Sequence, residues 1–449
     1  MVRLGEVMML MEPTSGTNYM SGKFVVQGGN RLSGAVRVGG AKNSALKLMA
    51  AALLTEEQTA LTNVPLITDV KIMAAVLERL GASISYSDPD VIEIKPGYSL
   101  YAEAPYELVS QMRASIIVLG PLLARLGRAR VAMPGGCNIG SRKIDMHIRG
   151  LEMLGARIEV GHGFIEAISE KLVGSKIALD YPSVGATENL LMAATLAEGV
   201  TIIENVAREP EIVDLANFLR KMGAKIEGAG TPTMRIEGVD KLHGVEYRVV
   251  PDRIEAGTLL VAAAITNGDI MVKDAIPEHL EMVISKLRDI GAEVIASDAG
   301  IRVAGCKCIN PTDIATLPHP GFPTDMQTQF MALLAMANGT SIITENIFEN
   351  RFMFVNELNR MGSDVRTEGR HAIINGVPKL TGAPVKAPDL RGGAALVLAG
   401  LAAEGVTEIS DIYHIDRGYH NFEHKLRALG ANIQRISKGE RSNILKVAK

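Results

Sequence analysis

One short segment combines a thiol with a guanidinium: it reads PGGCNIGSR and runs from Pro134 to Arg142. Three glycines within six residues around Cys137 leave the backbone little restrained, which predicts a loop able to close over a ligand. Arg142 would favour the thiolate and could bind a phosphate through two hydrogen bonds. The segment therefore predicts a lid with a reactive cysteine; the alternative is an ordinary connecting loop with an incidental thiol.

A cysteine paired with a histidine base is the competing catalytic arrangement, since His147, His319 and His414 are available. Their spacing selects none of them, and such a histidine is more often structural. Cys306 and Cys308 lack the second ligand pair of a zinc site, so we interpret them as two residues on a strand. We expect neither a metal nor a cofactor.

Composition excludes several classes of protein. The 47 basic and 50 acidic residues give a net charge of −3, which provides no general field for nucleic acid or an anionic membrane. No apolar run reaches the roughly 18 residues of a transmembrane helix, and residues 1–19 lack the pattern of an export signal. Three cysteines cannot form a disulfide framework, so we expect a cytoplasmic protein. Its oligomeric state is left open.

A repeated pattern organises the 449 residues. An apolar residue, a glycine and a small residue end a helix and lead into a strand, and the glycines recur every 68 to 74 residues: Gly81, Gly155, Gly223, Gly291, Gly362 and Gly430. Glycine suits the left-handed position that ends a helix. About 30 residues before these glycines lie helices rich in Ala and Leu, apolar on nearly every face, which predicts that they are buried all round.

The pattern predicts an α/β fold with six β-α-β-α-β-β units, three before about residue 250 and three after it. The length agrees with two domains, with hinges near 39–43 and 250–253. A purely structural repeat scaffold is the alternative. Against it, charged or glycine-rich residues recur where the first helix of each unit begins, and helix N-termini are natural anion sites. These positions include Lys42, Arg113, Gly185, Arg253, Asp325 and Arg391.

A series of motifs extends from about Lys23 to the C-terminus, in the order GAKNSAL, MRASI, PGGCNIGSR, SVGAT, REPEIVD, PDRIEAGT, FPTDMQ, ENRFM and HIDRGY. Together they resemble the UDP-N-acetylglucosamine 1-carboxyvinyltransferases of the enolpyruvyl transferase family. The resemblance implies a two-domain inside-out α/β barrel in which the N-terminal strand joins the second domain. We accordingly expect one domain at 43–250, a second at 20–42 plus 251–449, and a poorly ordered extension at 1–19.

The resemblance also implies a reaction: transfer of the enolpyruvyl group of phosphoenolpyruvate to the 3′-hydroxyl of UDP-N-acetylglucosamine, with release of phosphate, at the start of peptidoglycan synthesis. Cys137 matches the proton donor, and Asp325 matches the carboxylate expected to act as base. Lys42, Arg142 and Arg417 match the cations around phosphoenolpyruvate, with Arg391 adjoining them.

Further positions match the contacts to the UDP-sugar: Asn43, Arg113, Arg142, Lys143, Ile144, Asp145, Met146, Ser183, Val184, Gly185 and Ile347. Glu209, Asp252 and Arg253 look like residues of a cleft or hinge between the domains, with a structural salt bridge as the equal alternative. Tyr181 and Lys143 depart from the family's pattern beside the uridine contacts. Two alternatives stay open: a shikimate-pathway enolpyruvyl transferase, whose pattern lacks a cysteine lid, and a non-catalytic paralogue that binds the UDP-sugar.

Overall fold

A computed structural model of the chain describes residues 22–133, 144–437 and Ile444. The predicted lid with Cys137, Arg142 and Lys143 lies outside the described residues, and so does the side chain of Arg113. The expectations for these four residues therefore remain predictions.

A set of inner helices is buried on almost every face. Their residues are mainly alanine, leucine, methionine and valine, and in one of them every residue from Ile254 to Ile265 is buried. Such helices have no face suited to water and must lie inside the protein. The inner helices are Lys42–Ala51, Leu119–Leu126, Val184–Ala194, Arg253–Ile265, Gln327–Leu334 and Leu390–Ala402.

A set of outer helices is amphipathic and ends at the repeated glycines. Those glycines have φ between +89° and +107°, so the prediction of a left-handed helix end is confirmed. The outer helices are Thr68–Arg79, Asp145–Met153, Pro210–Lys221, Glu281–Asp289, Val355–Arg360 and Phe422–Ala428. Two short α-helices, Tyr106–Val109 and Tyr413–Asp416, and 3-10 segments at Ala52–Leu54, Arg113–Val118, Pro277–His279 and Thr324–Met326 complete the described helical elements.

The described strands form six four-stranded sheets, in which one edge strand runs parallel to its neighbour and the remaining pairs are antiparallel. Three sheets surround the first group of inner helices: Glu246–Arg248, Thr59–Thr62, Val91–Lys95 and Ser83–Asp88; Glu103–Ala104, Arg128–Ala132, Phe164–Ile168 and Arg157–Gly161; Lys176–Ala178, Val200–Glu204, Thr233–Glu237 and Lys225–Glu227. Three surround the second group: Glu293–Ser297, Gly300–Ala304, Asp269–Lys273 and Ser33–Arg37; Ile314–Ala315, Thr340–Thr344, His371–Asn375 and Asp364–Glu368; Pro384–Lys386, Val406–Ser410, Gly22–Gln27 and Asn432–Ser437. The protein is thus an inside-out α/β barrel of two domains with three repeats each.

The N-terminal strands lie in the sheets of the second domain. Gly22–Gln27 is antiparallel to both Val406–Ser410 and Asn432–Ser437, and Ser33–Arg37 is parallel to Asp269–Lys273. Two large hydrophobic cores divide in the same way: one runs from Ala45 to Val249, and the other combines residues 24–38 with 254–433. We propose the boundaries 43–250 and 20–42 plus 251–449, which this division supports.

Two details concern the sequence-based expectations directly. Cys306 and Cys308 follow the strand Gly300–Ala304 and lie in the next loop, so the prediction that they are strand residues was wrong. The apolar run ends before them, at Val303 and Ala304, and Gly305 comes next. Within the described ranges, no helix has the length and apolar character needed to cross a bilayer.

Candidate active site

Asp252 forms hydrogen bonds to the first residues of two inner helices, one in each domain. Its carboxylate caps the second-domain helix by accepting hydrogen bonds from the backbone N–H groups of Ile254 at 2.8 Å and Glu255 at 3.0 Å. It also accepts one from the N–H of Lys42, the first residue of the first-domain helix, at 3.1 Å. The predicted hinge segments therefore meet where the predicted site residues begin.

A first charged cluster forms around Asp69. Lys42 places its Nζ 2.7 Å from Asp69 Oδ2, and Arg417 places its Nε 2.8 Å from Asp69 Oδ1. Asp69 lies in the first turn of the outer helix Thr68–Arg79 of the first domain, whereas Arg417 follows the helix Tyr413–Asp416 of the second. Two cations predicted to act together thus meet on one carboxylate, across the boundary between the domains.

Burial and charge oppose each other in this cluster. Burial would raise the pKa of Asp69, but Lys42 and Arg417 hold it below its usual value. Burial lowers the pKa of Lys42 despite the attraction of Asp69, and the nearby charges of Arg391 and Arg417 lower it further. Two cations on one carboxylate leave a positive charge uncompensated, which favours binding of an anion.

A second charged cluster forms around Asp325, within the second domain. Arg351 donates to Asp325 Oδ1 at 2.6 Å and Arg391 donates to Oδ2 at 3.0 Å. Burial would raise the pKa of Asp325, but Arg391 and Arg351 together hold it well below its usual range. Asp325 is therefore a firmly ionised carboxylate whose two oxygens both accept hydrogen bonds from guanidinium groups.

The guanidinium groups of this second cluster are almost inaccessible, since the side chains of Arg351 and Arg391 are 2% and 3% exposed. Asp389 positions Arg391 by capping its helix, with hydrogen bonds from the N–H groups of Arg391 at 2.8 Å and Gly392 at 3.0 Å. Among the described residues, Nε and Nη1 of Arg351 have no hydrogen-bond partner. Buried donors without partners are costly, so they are suited to a ligand.

Ser183 and Gly185 lie at the start of the inner helix Val184–Ala194, the segment predicted to contact a UDP-sugar. Ser183 caps this helix, because its Oγ accepts a hydrogen bond from the N–H of Ala186 at 3.3 Å. A Cβ atom at Gly185 would lie 3.1 Å from the ring of His147. His147 is buried and its Nδ1 is 2.9 Å from the side-chain nitrogen of Asn189, which gives it a structural partner and weakens the case for it as a catalytic base.

The remaining predicted binding residues occupy more varied places. Asn43 is half-buried beside Lys42. Ile144 and Met146 pack against the core of the first domain, whereas Asp145 is exposed and lies 3.9 Å from Arg149. The N–H of Ile347 donates to Glu345 at 2.8 Å. Val184 is the first residue of its helix and also packs against that core.

Further contacts join the domains beside the clusters. Arg253 lies 3.0 Å from Glu211, with side chains 9% and 5% exposed, and Glu209 accepts a hydrogen bond from the N–H of His319 at 3.4 Å. Glu209 and Arg253 thus lie at the domain boundary, and the partner of Arg253 is Glu211.

Sequence reasoning missed two residues of these clusters, Asp69 and Arg351. Asp69 had a detectable signal, because acidic residues also occupy the first turn of the corresponding outer helices at Asp145 and Glu211. Arg351 is part of the ENRFM motif, yet its role emerges only from its contact with Asp325. In the part of the chain that the structure describes, no three His, Cys, Asp or Glu side chains are grouped to hold a metal ion.

Comparison with known proteins identifies the family of the chain. The family model described as EPSP synthase (3-phosphoshikimate 1-carboxyvinyltransferase) matches residues 26–426. UDP-N-acetylglucosamine 1-carboxyvinyltransferase 2 of Carboxydothermus hydrogenoformans is 58% identical over 92% of this chain and 99% of its own length. UDP-N-acetylglucosamine 1-carboxyvinyltransferase 1 of Caldanaerobacter subterraneus subsp. tengcongensis is 56% identical over 93% of this chain and 100% of its own.

Solved structures show the same fold. The enolpyruvyl transferase NikO from Streptomyces tendae superposes with a TM-score of 0.83 at 26% identity, covering 93% of this chain and 99% of that one. EPSP synthase from Acinetobacter baumannii gives a TM-score of 0.74 at 20% identity, covering 93% and 100%, which bears on the fold alone. The chain therefore belongs to the EPSP synthase family of enolpyruvyl transferases and, within it, to the UDP-N-acetylglucosamine 1-carboxyvinyltransferases.

Proposed function

We propose that this enzyme transfers the enolpyruvyl group of phosphoenolpyruvate to the 3′-hydroxyl of UDP-N-acetylglucosamine and releases phosphate, the first committed step of peptidoglycan synthesis. The names of its relatives suggest the reaction. One observation in this chain carries the proposal: near the boundary between the domains, the buried carboxylate of Asp69 and the partly buried carboxylate of Asp325 each contact two cations. Each cluster keeps an excess positive charge for an anionic substrate.

Phosphoenolpyruvate carries a phosphate and a carboxylate on three carbons, so it needs several cations at short range. Lys42 and Arg417 would bind its phosphate together with Arg142, and Arg391 would contact its carboxylate. Arg351 adds donors that have no partner within the described residues. Asp69 already holds Lys42 and Arg417 in place, and Asp325 holds the other two arginines, which limits the reorganisation that binding requires.

The reaction requires two proton transfers in each of two steps. In the addition, the 3′-hydroxyl oxygen bonds to C2 of phosphoenolpyruvate, its proton passes to Asp325, and the Cys137 thiol protonates C3. In the elimination, a proton leaves C3 for the Cys137 thiolate, the C2–O bond to phosphate breaks, and the phosphate takes the proton from Asp325. Both residues return to their starting states.

The low pKa of Asp325 makes it a weak base while both guanidiniums donate to it. We propose that substrate binding draws Arg391 towards the carboxylate of phosphoenolpyruvate. With one hydrogen bond fewer, Asp325 becomes a better proton acceptor for the sugar hydroxyl. The substrate would thereby activate its own base.

The UDP-sugar would bind mainly along the first domain and reach Ile347 of the second, through the positions Asn43, Arg113, Arg142, Lys143, Ile144, Asp145, Met146, Ser183, Val184, Gly185 and Ile347. Several of these start helices, where backbone N–H groups favour phosphate oxygens. A cytoplasmic location is proposed with this function, because three cysteines suit a reducing compartment.

Phosphate release separates this function from its alternatives. The enzyme is mixed with phosphoenolpyruvate and either UDP-N-acetylglucosamine or shikimate 3-phosphate, and inorganic phosphate is measured over time. We expect phosphate only with the UDP-sugar. Activity only with shikimate 3-phosphate would assign the other transferase, and binding of the UDP-sugar without phosphate release would indicate a non-catalytic paralogue.

Cys137→Ser tests the proposed acid. A serine hydroxyl is a far weaker acid than a thiol, so we expect turnover to fall by roughly 10²-fold or more while the protein stays folded. Cys308→Ser is the matched control, since Cys308 is exposed in a loop away from the two charged clusters. Equal activity of the two variants would remove Cys137 from the mechanism.

A further inference from the structure

A cavity of about 480 Å³ lies in the second domain, at the end of the inner helices that faces away from the cleft. It is lined by residues at the C-terminal ends of three inner helices, including Ile265, Met336 and Ala402. The same helices begin at the charged clusters, and a helix of 13 residues such as Arg253–Ile265 spans about 20 Å. The cavity is therefore separate from the proposed active site.

The first domain fills the corresponding place with a side chain of its own. Arg125 lies in the last turn of the inner helix Leu119–Leu126 and donates from Nη1 to the carbonyl oxygens of Leu53 and Thr55, both at 2.9 Å. Its Nη2 donates to the carbonyl oxygen of Gly97 at 3.0 Å. The Arg125 side chain is only 10% exposed, so its guanidinium fills the space at the C-terminal end of the inner helices of the first domain.

Two of the three acceptor positions lie at the C-terminal end of the first inner helix in each domain. Leu53 and Thr55 follow the helix that begins at Lys42, and Ala264 and Thr266 stand at the same distances from Arg253, where the equivalent helix begins. Both Ala264 and Thr266 line the cavity. Their backbone carbonyls correspond to acceptors that Arg125 uses in the first domain, although that of Ala264 already accepts a hydrogen bond from the N–H of Asn267 at 3.3 Å.

The third acceptor position is kept as well. Gly97 is the second residue after the strand Val91–Lys95, and Cys306 is the second residue after the equivalent strand Gly300–Ala304. Cys306 also lines the cavity. All three acceptor positions of the first domain thus have a counterpart on the cavity wall.

The donor is what the second domain lacks. Arg125 comes directly after Leu-Leu-Ala at residues 122–124, and Met336 comes directly after Leu-Leu-Ala at residues 333–335. Met336 lines the cavity and offers no hydrogen-bond donor. Met336 thus stands where the first domain has an arginine. The second domain keeps the three acceptor positions and the space between them, but it has no guanidinium of its own to fill that space.

The electrostatics of the cavity favour a cation. Helix C-termini carry negative partial charge, and three of them converge here. Lys307 is the charged side chain among the lining residues; it is exposed, so water screens its repulsion of a second cation.

We propose that this cavity is a second ligand site that binds a small organic cation with a guanidinium group, in the place that Arg125 occupies in the first domain. The ligand would donate to the carbonyls of Ala264, Thr266 and Cys306, and its alkyl part would pack against Met336. Because the site lies at the far end of the inner helices, binding would not compete with UDP-N-acetylglucosamine.

The test compares L-arginine amide with L-citrulline amide, which differ only in having a guanidinium or a neutral urea group. Isothermal titration calorimetry of the wild-type protein, with and without saturating UDP-N-acetylglucosamine, should show saturable binding of arginine amide in both cases. Citrulline amide should bind at least tenfold more weakly. Equal binding of the two compounds, or loss of arginine amide binding when the UDP-sugar is present, would overturn the proposal.

Met336→Arg locates the site. Its side chain should close the cavity as Arg125 does, so we expect loss of arginine amide binding, a higher melting temperature and unchanged phosphate release. Met336→Leu is the control that keeps the cavity and should keep binding. If Met336→Arg does not fold, a crystal structure of the wild type soaked with arginine amide decides, and density only outside the cavity would reject the site.

Discussion

Two carboxylates whose pKa values shift in opposite directions distinguish the charged site near the domain boundary from the interior of the protein. Asp325, at the cleft, contacts two guanidiniums and its pKa lies well below the usual range. Glu188, in an inner helix of the first domain, contacts the Lys47 ammonium at 3.0 Å, and burial raises its pKa to about 7 although Lys47 opposes this. Burial acts against both charges, and the neighbouring carboxylates of Glu211 and Glu209 raise the pKa of Glu188 further, so the balance of nearby cations and carboxylates decides which carboxylate stays ionised.

The comparison also explains where anions can bind. The Asp325 cluster carries a net positive charge at neutral pH, whereas the Glu188–Lys47 pair is close to neutral when ionised. Asp69 resembles Asp325, because it too contacts two cations. An excess of cations over carboxylates therefore marks the cleft.

Asp325→Asn should have the largest effect, because a neutral amide neither accepts a proton nor offsets two buried guanidiniums. We expect turnover to fall by roughly 10²- to 10⁴-fold and the free energy of unfolding to fall by about 3 kcal/mol. Phosphate release and urea unfolding measure the two losses. Asp364→Asn, at a half-exposed strand position, is the matched control; a variant at 325 that retained a third of wild-type turnover would contradict the proposed base.

Asp69→Asn should have the next largest effect. Lys42 and Arg417 would lose the carboxylate that orients them across the domain boundary, and a charged hydrogen bond contributes about 1.5–3 kcal/mol. We expect KM for phosphoenolpyruvate to rise about 10- to 100-fold, with a smaller change in kcat, because Asp69 acts through the two cations. A fall in kcat at unchanged KM would indicate a different role.

Glu188→Gln should alter how stability depends on pH. The pKa of Glu188 is about 7 in the folded protein, against 4.5 for an ordinary glutamate, so between these values the folded state binds a proton that the unfolded state lacks. The stabilisation from this proton is complete below pH 4.5 and is lost as the pH rises through about 7, a change of roughly 3 kcal/mol.

Urea unfolding of the wild type and of Glu188→Gln between pH 5 and 8 measures this dependence. The wild type should lose stability with rising pH relative to the variant, whose amide does not titrate. Parallel stability curves would show that Glu188 is ionised throughout and that one ammonium suffices to hold a buried carboxylate.

Glu404→Gln should have the smallest effect. Glu404 lies 2.7 Å from Lys379, but both side chains are more than 60% exposed. Solvent screening limits such pairs, so we expect the free energy of unfolding to change by less than about 0.5 kcal/mol. If the free energy of unfolding fell by more than this in urea unfolding, a single exposed cation would stabilise a carboxylate strongly. The number of cations would then not explain why Asp325 and Glu188 differ.

The sequence predicted features that are encoded locally. The inner helices follow from unbroken apolar stretches such as Leu259–Ile265, and their ends follow from glycines in the left-handed conformation. The placing of Cys306 and Cys308 on a strand failed because Gly305 ends the strand pattern before them. Pairings between distant residues were not encoded in this way: Arg417 and Asp69 are 348 positions apart, and only the fold brings them together.

The position of the strand Gly22–Gln27 between Val406–Ser410 and Asn432–Ser437 has a consequence for biosynthesis. Its two neighbours are translated about 400 residues after it, which at 5–20 residues per second is a delay of roughly 20–80 s. In the later part of that interval, once Val249 has been translated, the nascent chain carries an unpaired apolar strand beside a first domain whose core residues are all present. The sheet that holds this strand can therefore be completed only after the last of its strands has emerged.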